Sequence, residues 1–209
     1  MNRGKAIRVF ESERLEKLTF IHPIVPVLIF GPVVIFMVGR ALVRDVPWGL
    51  VLPLMLLGIV AWSFVEYIIH RLAFHFEGKT PWQRRLHFLV HGIHHDDPND
   101  AMRLVMPPIV SIPLGIASYL LCHSLWAFAG DVFFAGFVTG YLGYDYSHFY
   151  LHHGRPTSTW WRFLRRHHLI HHHADDRSNF GVSSPLWDVA FQTLRTERPE
   201  TKVQRHAAS

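Results

Sequence analysis

The sequence predicts an all-α integral membrane protein in which four transmembrane helices carry a cytosolic, histidine-rich helical cap. Three observations lead to this fold class. Of the 209 residues, 49% are hydrophobic and 18% are charged, against about 25% charged residues in soluble globular domains. The apolar residues form four long runs, each close to the roughly 20 residues that cross a bilayer as a helix. Most of the 17 histidines lie between or after these runs.

The first twenty residues are expected to lie in the cytosol or at the membrane interface. They include Glu11, Glu13 and Glu16 and lead into a long apolar run, which argues against a cleaved signal peptide. Residues 7–20 are open to two interpretations, a short amphipathic helix lying on the membrane surface or an ordinary charged flank.

The four predicted spans belong to a single membrane domain, residues 21–209. The spans are about 21–43, 46–69, 104–122 and 132–149. Pro107 and Pro108 are expected to start the third helix, because proline fits the first turn of a helix. The remaining segments, 70–103 and 150–209, form the predicted cap.

The distribution of basic residues predicts the orientation of the spans. The chain has 21 Lys and Arg. Of these, five lie in residues 1–20, five in 70–103 and nine in 152–209, whereas only Arg40 and Arg44 fall on the opposite side of a four-span topology. The positive-inside rule therefore places both termini and the cap in the cytosol. The net charge of +5 is explained by this topology, so no nucleic-acid partner is expected.

Fourteen of the seventeen histidines lie in two stretches, residues 70–95 and 148–173. Each stretch begins at the predicted cytosolic end of a span. Both contain an HxxHH segment, at 91–95 and at 168–172. Because residues three and four apart share one face of a helix, each segment can present its three imidazoles together.

Two further histidine pairs flank these segments. His148 and His152 are one helical turn apart. His70 and His75 are five residues apart, about 140° round an ideal helix, so they converge best if the helix ends or bulges near Ala73.

The histidines predict a centre with two metal ions. Neutral imidazole is the commonest nitrogen ligand for Zn, Fe, Cu and Ni, and ten imidazoles are more than one ion uses. The ten candidate ligands are His70, His75, His91, His94, His95, His148, His152, His168, His171 and His172. One HxxHH segment alone fits an exposed polar turn equally well, and "RRHHLIHHH" also fits a basic tail for anionic lipid. Four clusters at helical spacing on one membrane face favour the metal centre.

Some assignments around the centre remain open. His87 lies one turn before His91 and is a possible further ligand. His167 and His173 make the register of the last cluster ambiguous. We choose His168, His171 and His172 as the candidate ligands because their spacing repeats that of the first HxxHH.

Three charged residues are candidates for supporting roles. Glu66 lies one turn before His70, and Asp145 lies three residues before His148. A carboxylate that accepts a hydrogen bond from a ligating imidazole fixes its tautomer, whereas a polar contact between helices is the alternative. Arg103, at the cytosolic mouth of the third span, is a candidate for the substrate headgroup, with a positive-inside anchor as the alternative.

These motifs resemble those of the fatty acid hydroxylase and sterol desaturase superfamily. The segments "HRLAFHFEG", "LHFLVHGIHHDDPNDAMRLVMPP", "YDYSHFYLHH" and "NFGVSSPLWDVAF" are similar to those of fatty acid 2-hydroxylases. The resemblance covers about residues 60–195, and the "HGIHH…RLVMPP" block is its most specific part. It implies that the ten histidines named above hold two iron ions that use O2, and that zinc is able to replace iron in purified protein.

The resemblance also implies a reaction and partners. It implies insertion of one oxygen atom into an acyl chain, at C2 of a fatty acid or of a sphingolipid acyl group. Eukaryotic members often carry a cytochrome b5-like haem domain; here only twenty residues precede the first span, so no haem is expected in this chain. Electrons are then expected from a separate protein, such as a ferredoxin or a cytochrome b5-like carrier with its reductase.

Two alternatives remain at this level. The protein could be a desaturase, or a hydroxylase of a sterol, carotenoid or ornithine lipid, since histidine boxes are shared among these enzymes. It could instead be a membrane protein for metal transport or storage. A transporter is expected to place its ligands near the middle of the bilayer, whereas these histidines lie beyond the helix ends.

Overall fold

The computed structural model describes residues 7–196, and every regular element within that range is helical. In chain order the helices are α1 (Glu13–Lys17), α2 (Val25–Val43), α3 (Trp48–Ile68), α4 (Pro81–His87), α5 (Ile93–Asp96), α6 (Pro108–His153), α7 (Thr159–His173) and α8 (Leu186–Ala190). One π-helical turn, Ile69–Phe74, continues α3, and a second, Phe88–Gly92, joins α4 to α5.

Three helical stretches are long and apolar enough to cross a membrane. They are Val25–Val43, Trp48–Phe74 and Pro108–His153. Large apolar side chains point outward from them, such as Ile35, which is 76% exposed. Exposure on this scale fits side chains that face lipid, because large exposed apolar patches in soluble proteins are rare. The all-helical membrane character predicted from the sequence is confirmed. Most of the third predicted span and all of the fourth fall within α6, which is interrupted between them.

Helix α6 folds back on itself at Ala127. Its backbone angles there, φ 47° and ψ −127°, are not helical. The ring of Phe30 lies 5.4 Å from that of Tyr141 and also faces Gly115, where an added Cβ would be 3.1 Å from it. A straight helix would separate residues 115 and 141 by about 39 Å, so the limbs 108–126 and 128–153 run antiparallel. The sequence predicted a loop over 123–131, but the reversal takes a single non-helical residue.

The reversal is tight because Gly130 carries no side chain. A Cβ at Gly130 would lie 2.1 Å from the carbonyl oxygen of Cys122. The same end of the bundle is held by Asp131, which is fully buried and lies 2.6 Å from an Arg40 nitrogen. His123 Nδ1 lies 2.9 Å from the other Asp131 oxygen. These contacts tie α2 to both limbs of α6.

Close packing joins α3 to the second limb of α6. An added Cβ at Gly58 would lie 2.2 Å from Phe133 O, and one at Gly136 would lie 2.1 Å from Met55 O. Small residues that let backbones approach are typical of helix contacts in membranes, where van der Waals packing replaces the hydrophobic effect. The Trp62 ring fills the next layer towards the end of α3.

The N-terminal segment packs against the loop that precedes α6. Arg103 donates to Ile7 O at 2.5 Å and to Glu16 Oε1 at 2.6 Å. Glu16 also accepts from the backbone N–H groups of Val9 and Phe10. Only Glu13–Lys17 of residues 7–20 is helical, so the helix of the first interpretation is limited to five residues. The segment is anchored to the rest of the protein by the contacts of Arg103.

Candidate metal centre

The ten histidines singled out by their spacing come together at one end of the helical bundle, in two groups. The first histidine group is His70, His75, His91, His95 and His171. The second histidine group is His94, His148, His152, His168 and His172. Within each group, one ring nitrogen per residue lies within 4.8 Å of every other. Each group therefore brings five nitrogen donors to one point.

A π-helical turn brings His70 and His75 to the same group. The turn Ile69–Phe74 follows α3 directly, and the helix ends before His75. A π turn adds residues to each helical turn, so it re-aims the side chains that follow, and such turns are frequent at functional sites. The rings of His70 and His75 are 5.1 Å apart. The predicted bulge or end near Ala73 is confirmed.

The first HxxHH segment divides its imidazoles between the two groups. A second π turn, Phe88–Gly92, sets His91 into the first group before α5 begins. His94 and His95 are neighbours in α5 but point to different groups. His87 belongs to neither group and lies against Phe76, with ring centroids 5.6 Å apart.

The second HxxHH segment is divided in the same way by α7. His168 and His172 enter the second group, where they meet His148 and His152 from the end of α6. His171 turns to the first group. Because α5 and α7 each supply both groups, the two groups are adjacent, and the rings of His95 and His172 stack 4.2 Å apart.

The two flanking histidines of α7 point elsewhere. His167 is buried with its Nε2 3.3 Å from Asp188, and His173 is exposed. Neither joins a group. The register His168-x-x-His171-His172 is the one that the structure assembles.

Nitrogen–nitrogen distances within the groups fit coordination to a metal ion. His91 Nε2 lies 3.1 Å from His70 Nε2 and 3.0 Å from His95 Nε2. In the second group, His168 Nε2 lies 2.9 Å from His152 Nε2. Two nitrogens bound about 2.1 Å from one metal ion at right angles are about 3.0 Å apart. The spacing is therefore that of neighbouring ligands on one ion.

The imidazoles are held in the neutral form that binds metals. Burial lowers the pKa of His91, His94 and His168 well below the ordinary value of 6.5. Burial also lowers the pKa of His75 and of His95 to about 4. Neutral imidazole has a free lone pair, so these side chains are ready to ligate near pH 7 without first losing a proton.

Two backbone carbonyls orient imidazoles of the first group. His171 Nδ1 donates to Ser178 O at 2.7 Å, and His70 Nδ1 donates to Phe180 O at 2.5 Å. A hydrogen bond from Nδ1–H leaves Nε2 as the free donor atom. The segment 178–183, here called the carbonyl loop, thus sets the tautomer of two of the five imidazoles.

The carbonyl loop is itself held by two buried carboxylates. Glu66 accepts from the backbone N–H groups of Val182 at 2.7 Å and Ser183 at 2.9 Å, and from the Ser183 hydroxyl. Asp188 accepts from Phe180 N at 2.9 Å and from Gly181 N at 2.8 Å. Both carboxylates act on the histidines through the loop.

This arrangement differs from the predicted supporting contacts. Glu66 binds the carbonyl loop rather than His70. Among residues 7–196, neither ring nitrogen of His148 has a hydrogen-bond partner, so the predicted contact between Asp145 and His148 is not formed. The Arg103 guanidinium binds Glu16 and Ile7 O and is nearly fully buried. Arg103 thus anchors the N-terminal segment, and its contact with a substrate headgroup stays a prediction.

Three residues that shape the carbonyl loop were missed by the sequence reasoning. Asp188 is one of them. Asn179, at a left-handed φ of 57°, donates to His167 O at 3.1 Å and accepts from Arg195 N at 2.7 Å. An added Cβ at Gly181 would lie 2.2 Å from Ser184 O. All three lie in the "NFGVSSPLWDVAF" segment, which follows the last histidine box. The run of small and polar residues in this segment was the available signal for a structured loop.

Comparisons with known proteins point to one family. The family model for fatty acid hydroxylases matches residues 55–193. A dihydroceramide fatty acyl 2-hydroxylase of Arabidopsis thaliana, FAH1, is 36% identical over 94% of this chain and 84% of its own length. The fatty acid 2-hydroxylase of Homo sapiens is 41% identical over 76% of this chain and 44% of its own. The solved structure of full-length Scs7p, in which only the hydroxylase domain is visible, superposes with a TM-score of 0.82 at 36% identity, covering 90% of this chain and 71% of that one.

Proposed function

The chain belongs to the fatty acid hydroxylase family, and on that premise we propose that it hydroxylates the acyl chain of a lipid at C2. The observation that carries the proposal is the pair of five-histidine groups at the end of an apolar helical bundle. Relatives are named for 2-hydroxylation of fatty acids and of dihydroceramide acyl groups. Their names support a free fatty acid or a sphingolipid acyl group as the substrate.

We propose that each histidine group holds one iron ion. The fit rests on the donor set: five neutral imidazoles at the spacing of neighbouring ligands, several with a buried ring nitrogen that has no partner among residues 7–196, such as His171 Nε2. Two iron ions bound there would supply activation of O2 and insertion of one oxygen atom into a C–H bond. Imidazole suits iron and zinc alike, so zinc is expected to compete for the same positions.

The protein's own residues orient the donors and exclude water. The carbonyls of Ser178 and Phe180 hold His171 and His70 with Nε2 facing inward. The buried Tyr144 ring stacks on His148 with centroids 5.8 Å apart, so an aromatic side chain covers one face of that imidazole. Apolar walls of this kind keep water from reacting groups.

The position of the groups favours C2 over carbons deep in the chain. His70 follows the end of α3, and His152 precedes the end of α6 by one residue. A polar headgroup is expected to stay outside the apolar interior, because a buried polar group without partners is costly. With the headgroup beside the histidine groups, the carbons within reach are those next to the carboxyl or amide carbon.

We further propose that electrons come from a separate electron-transfer protein. One O2 yields the new hydroxyl oxygen and one water, a reduction by four electrons. The C–H bond supplies two of them, so a reductant must supply the other two together with two protons. A ferredoxin, or a cytochrome b5-like carrier with its reductase, is the class of partner that delivers single electrons in this way.

We propose that the membrane is crossed four times, with the histidine groups in the cytosol. The limbs 108–126 and 128–153 of α6 are antiparallel. They contain 19 and 26 residues, against the roughly 17–25 residues with which a helix crosses the hydrocarbon core. The excess of Lys and Arg at the histidine end supports a cytosolic orientation. A topology reporter fused after Ser209 should report the cytosol, and one fused after Trp126 the opposite side; an external C-terminus would contradict the proposal.

Product analysis tests the proposed activity. The chain is expressed with an electron donor in cells that lack 2-hydroxy lipids, and hydrolysed lipids are separated by chromatography and mass. We expect 2-hydroxy fatty acids, free or amide-linked. The His95→Ala/His172→Ala variant, which loses one imidazole from each group, serves as the inactive control. New double bonds without 2-hydroxy products would identify a desaturase instead.

A further inference from the structure

Helix α7 carries donors of both histidine groups on one face and arginines on the opposite face. His171 belongs to the first histidine group and His168 to the second. Arg162 lies nine residues before His171, which is about 180° round a helix, and Arg166 lies two residues before His168, about 160° round. These arginines therefore point away from the histidine groups.

The outward side of α7 presents a cluster of positive charge, here called the α7 basic face: Arg162, Arg165 and Arg166. Arg162 and Arg166 are exposed, and Arg165 is half-buried. Arg165 donates to Gly154 O and Arg166 to Thr196 O, each at 2.9 Å, and these carbonyls leave the guanidinium charges uncompensated. Within residues 7–196, none of the three arginines forms an ion pair. Three such charges within five consecutive residues attract an anionic partner.

The α7 basic face lacks the apolar side chains with which a helix binds to a lipid surface. A helix that lies in the membrane interface buries large apolar residues there beside its basic ones. The large apolar side chain that α7 exposes is Trp160, at 51%. Trp160 lies two residues before Arg162, about 160° round the helix. The α7 basic face is therefore suited to a protein with a charged surface rather than to lipid.

Charge complementarity identifies an acidic protein as the partner. The chain has a net charge of +5, and its excess of Lys and Arg lies at the histidine end, so its field steers an acidic protein to this end. Helix α5 also supplies both histidine groups, but it ends at Asp96 and is followed by Asp97. An acidic protein is attracted to α7 and repelled from α5, which favours one docked orientation.

We propose that the α7 basic face is the docking surface for an acidic one-electron carrier protein and that electrons reach both histidine groups across α7. The inference rests on the proposed function, since it names the surface that the electron donor of that reaction uses. A helix with its side chains is about 10–12 Å across, so a carrier docked on α7 comes within about one helix diameter of His168 and His171. Each docked carrier is oxidised by one electron and the bound metal ions are reduced by one. Two docking events then supply the two electrons that one turnover requires.

Binding to metal-free protein in nanodiscs of neutral lipid tests the docking surface without turnover. The probes are an acidic ferredoxin, an acidic soluble cytochrome b5 domain and a basic c-type cytochrome. We expect wild type to bind at least one acidic carrier more tightly than the basic one. Raising the ionic strength from about 0.01 M to about 0.1 M shortens the Debye length from roughly 30 to 10 Å and should weaken this binding.

Three double variants locate the binding surface. Arg162→Glu/Arg166→Glu replaces two attractive charges by two repulsive ones and should weaken binding of the acidic carrier by about 10-fold or more. Arg162→Lys/Arg166→Lys keeps both charges and should bind within about 2-fold of wild type. Arg14→Glu/Lys17→Glu is the matched control, because it makes the same change in net charge at two exposed positions of α1. It should also bind within about 2-fold of wild type, since charges far from the contact are screened.

A rate measurement tests electron entry. Metal-loaded protein is mixed with the reduced acidic carrier, and oxidation of the carrier is followed by absorbance. Arg162→Glu/Arg166→Glu should lower the rate at low carrier concentration by the same factor as the affinity, while the rate at saturating carrier stays that of wild type. This pattern separates lost docking from a damaged metal centre, and elemental analysis of the loaded variant should still give two ions per chain.

Several results would overturn the inference. They are equal binding of both acidic carriers and the basic carrier by wild type, unchanged binding by the Glu variant, and a loss in the Lys variant as large as in the Glu variant. A fluorophore attached at Arg166→Cys, with Cys122 buried, should be quenched by a water-soluble quencher; quenching by spin-labelled lipid would instead assign the face to the membrane. If wild type binds and oxidises the carrier but forms no hydroxylated acyl product, the proposed function fails and the docking surface stands. If wild type forms the product and the Glu variant binds the carrier equally well, only this inference fails.

Discussion

Replacement of Asp188 by asparagine should weaken metal binding at the first histidine group and spare the second. Asp188 Oδ1 accepts from Phe180 N and from the Thr193 hydroxyl, and Oδ2 accepts from Gly181 N at 2.8 Å. Burial alone raises the pKa of this carboxyl, but its contacts with His167 and Thr193 lower the pKa overall. Asp188 therefore acts as an anion at neutral pH.

The size of the effect follows from these hydrogen bonds. In Asp188→Asn, the new amide NH2 group faces Gly181 N–H, so one charge-assisted hydrogen bond is lost and the other two become neutral. At about 1.5–3 kcal/mol for a charged hydrogen bond and about 0.5–1.5 kcal/mol for a neutral one, the carbonyl loop loses roughly 3.5–6 kcal/mol. The carbonyls of Ser178 and Phe180 then no longer fix His171 and His70. Loss of such support typically weakens metal affinity by about 10–100-fold.

The assay is competition with a chelator followed by elemental analysis. At a chelator concentration that leaves wild type with two ions, Asp188→Asn should keep one. Asp45→Asn is the control for the same chemical change, because Asp45 is exposed at the opposite end of the bundle and its positive φ suits asparagine. Adding His75→Ala should remove no further metal, whereas adding His152→Ala should remove the remaining ion. Retention of both ions by Asp188→Asn, or equal loss from both groups, would refute the reasoning.

Three further predictions concern the metal content, the Asp131–Arg40 ion pair and the stability of the metal-free protein in acid. Purified protein should hold two metal ions per chain, and His95→Ala/His172→Ala should lose them, as measured by elemental analysis. Asp131→Ala should destabilise the fold by about 3–5 kcal/mol, because it leaves the Arg40 charge partly buried without its partner. The melting temperature in detergent should therefore fall. An unchanged melting temperature would contradict this prediction. Metal-free protein should lose stability on acidification. The folded pKa of His75 and of His95 is about 4, below the ordinary 6.5, so between these pH values the unfolded chain binds more protons and stability falls as pH falls. Denaturation at pH 7.5 and pH 5.5 (values chosen at about one unit on either side of 6.5) measures the difference.

Most members of the histidine groups were accessible to sequence reasoning because they lie three or four residues apart in the chain. Residues three and four apart share a face whatever the tertiary packing, and the five-residue gap between His70 and His75 required a local irregularity that the π turn supplies. The division of each HxxHH segment between two groups was not accessible, since it depends on how α5 and α7 lie relative to each other.

Other features left no usable signal in the sequence. The reversal of α6 occurs at Ala127, and alanine is a good helix former. The sequence therefore did not indicate at which residue the helix is interrupted. It predicted a loop between the two spans, where the structure has a single non-helical residue. The sequence showed that Arg103 lies at the mouth of a predicted span. It gave no sign of the partners of Arg103, because Ile7 and Glu16 lie some ninety residues away in the chain. Asp188 lies close to the carbonyl loop in sequence, yet its role depends on a loop fold that no periodicity encodes.

The two histidine groups differ in what holds them, and this difference carries a functional consequence. Four of the five imidazoles of the second group come from α6 and α7, which are continuous through the ligating residues. The first group depends on a π turn for His70 and on the carbonyl loop for two tautomers. Donors on continuous helices are held more precisely than donors whose orientation depends on loops. The second group should therefore bind its ion more tightly and fill first when metal is limiting, whereas the first group is the one whose geometry responds to changes in the carbonyl loop.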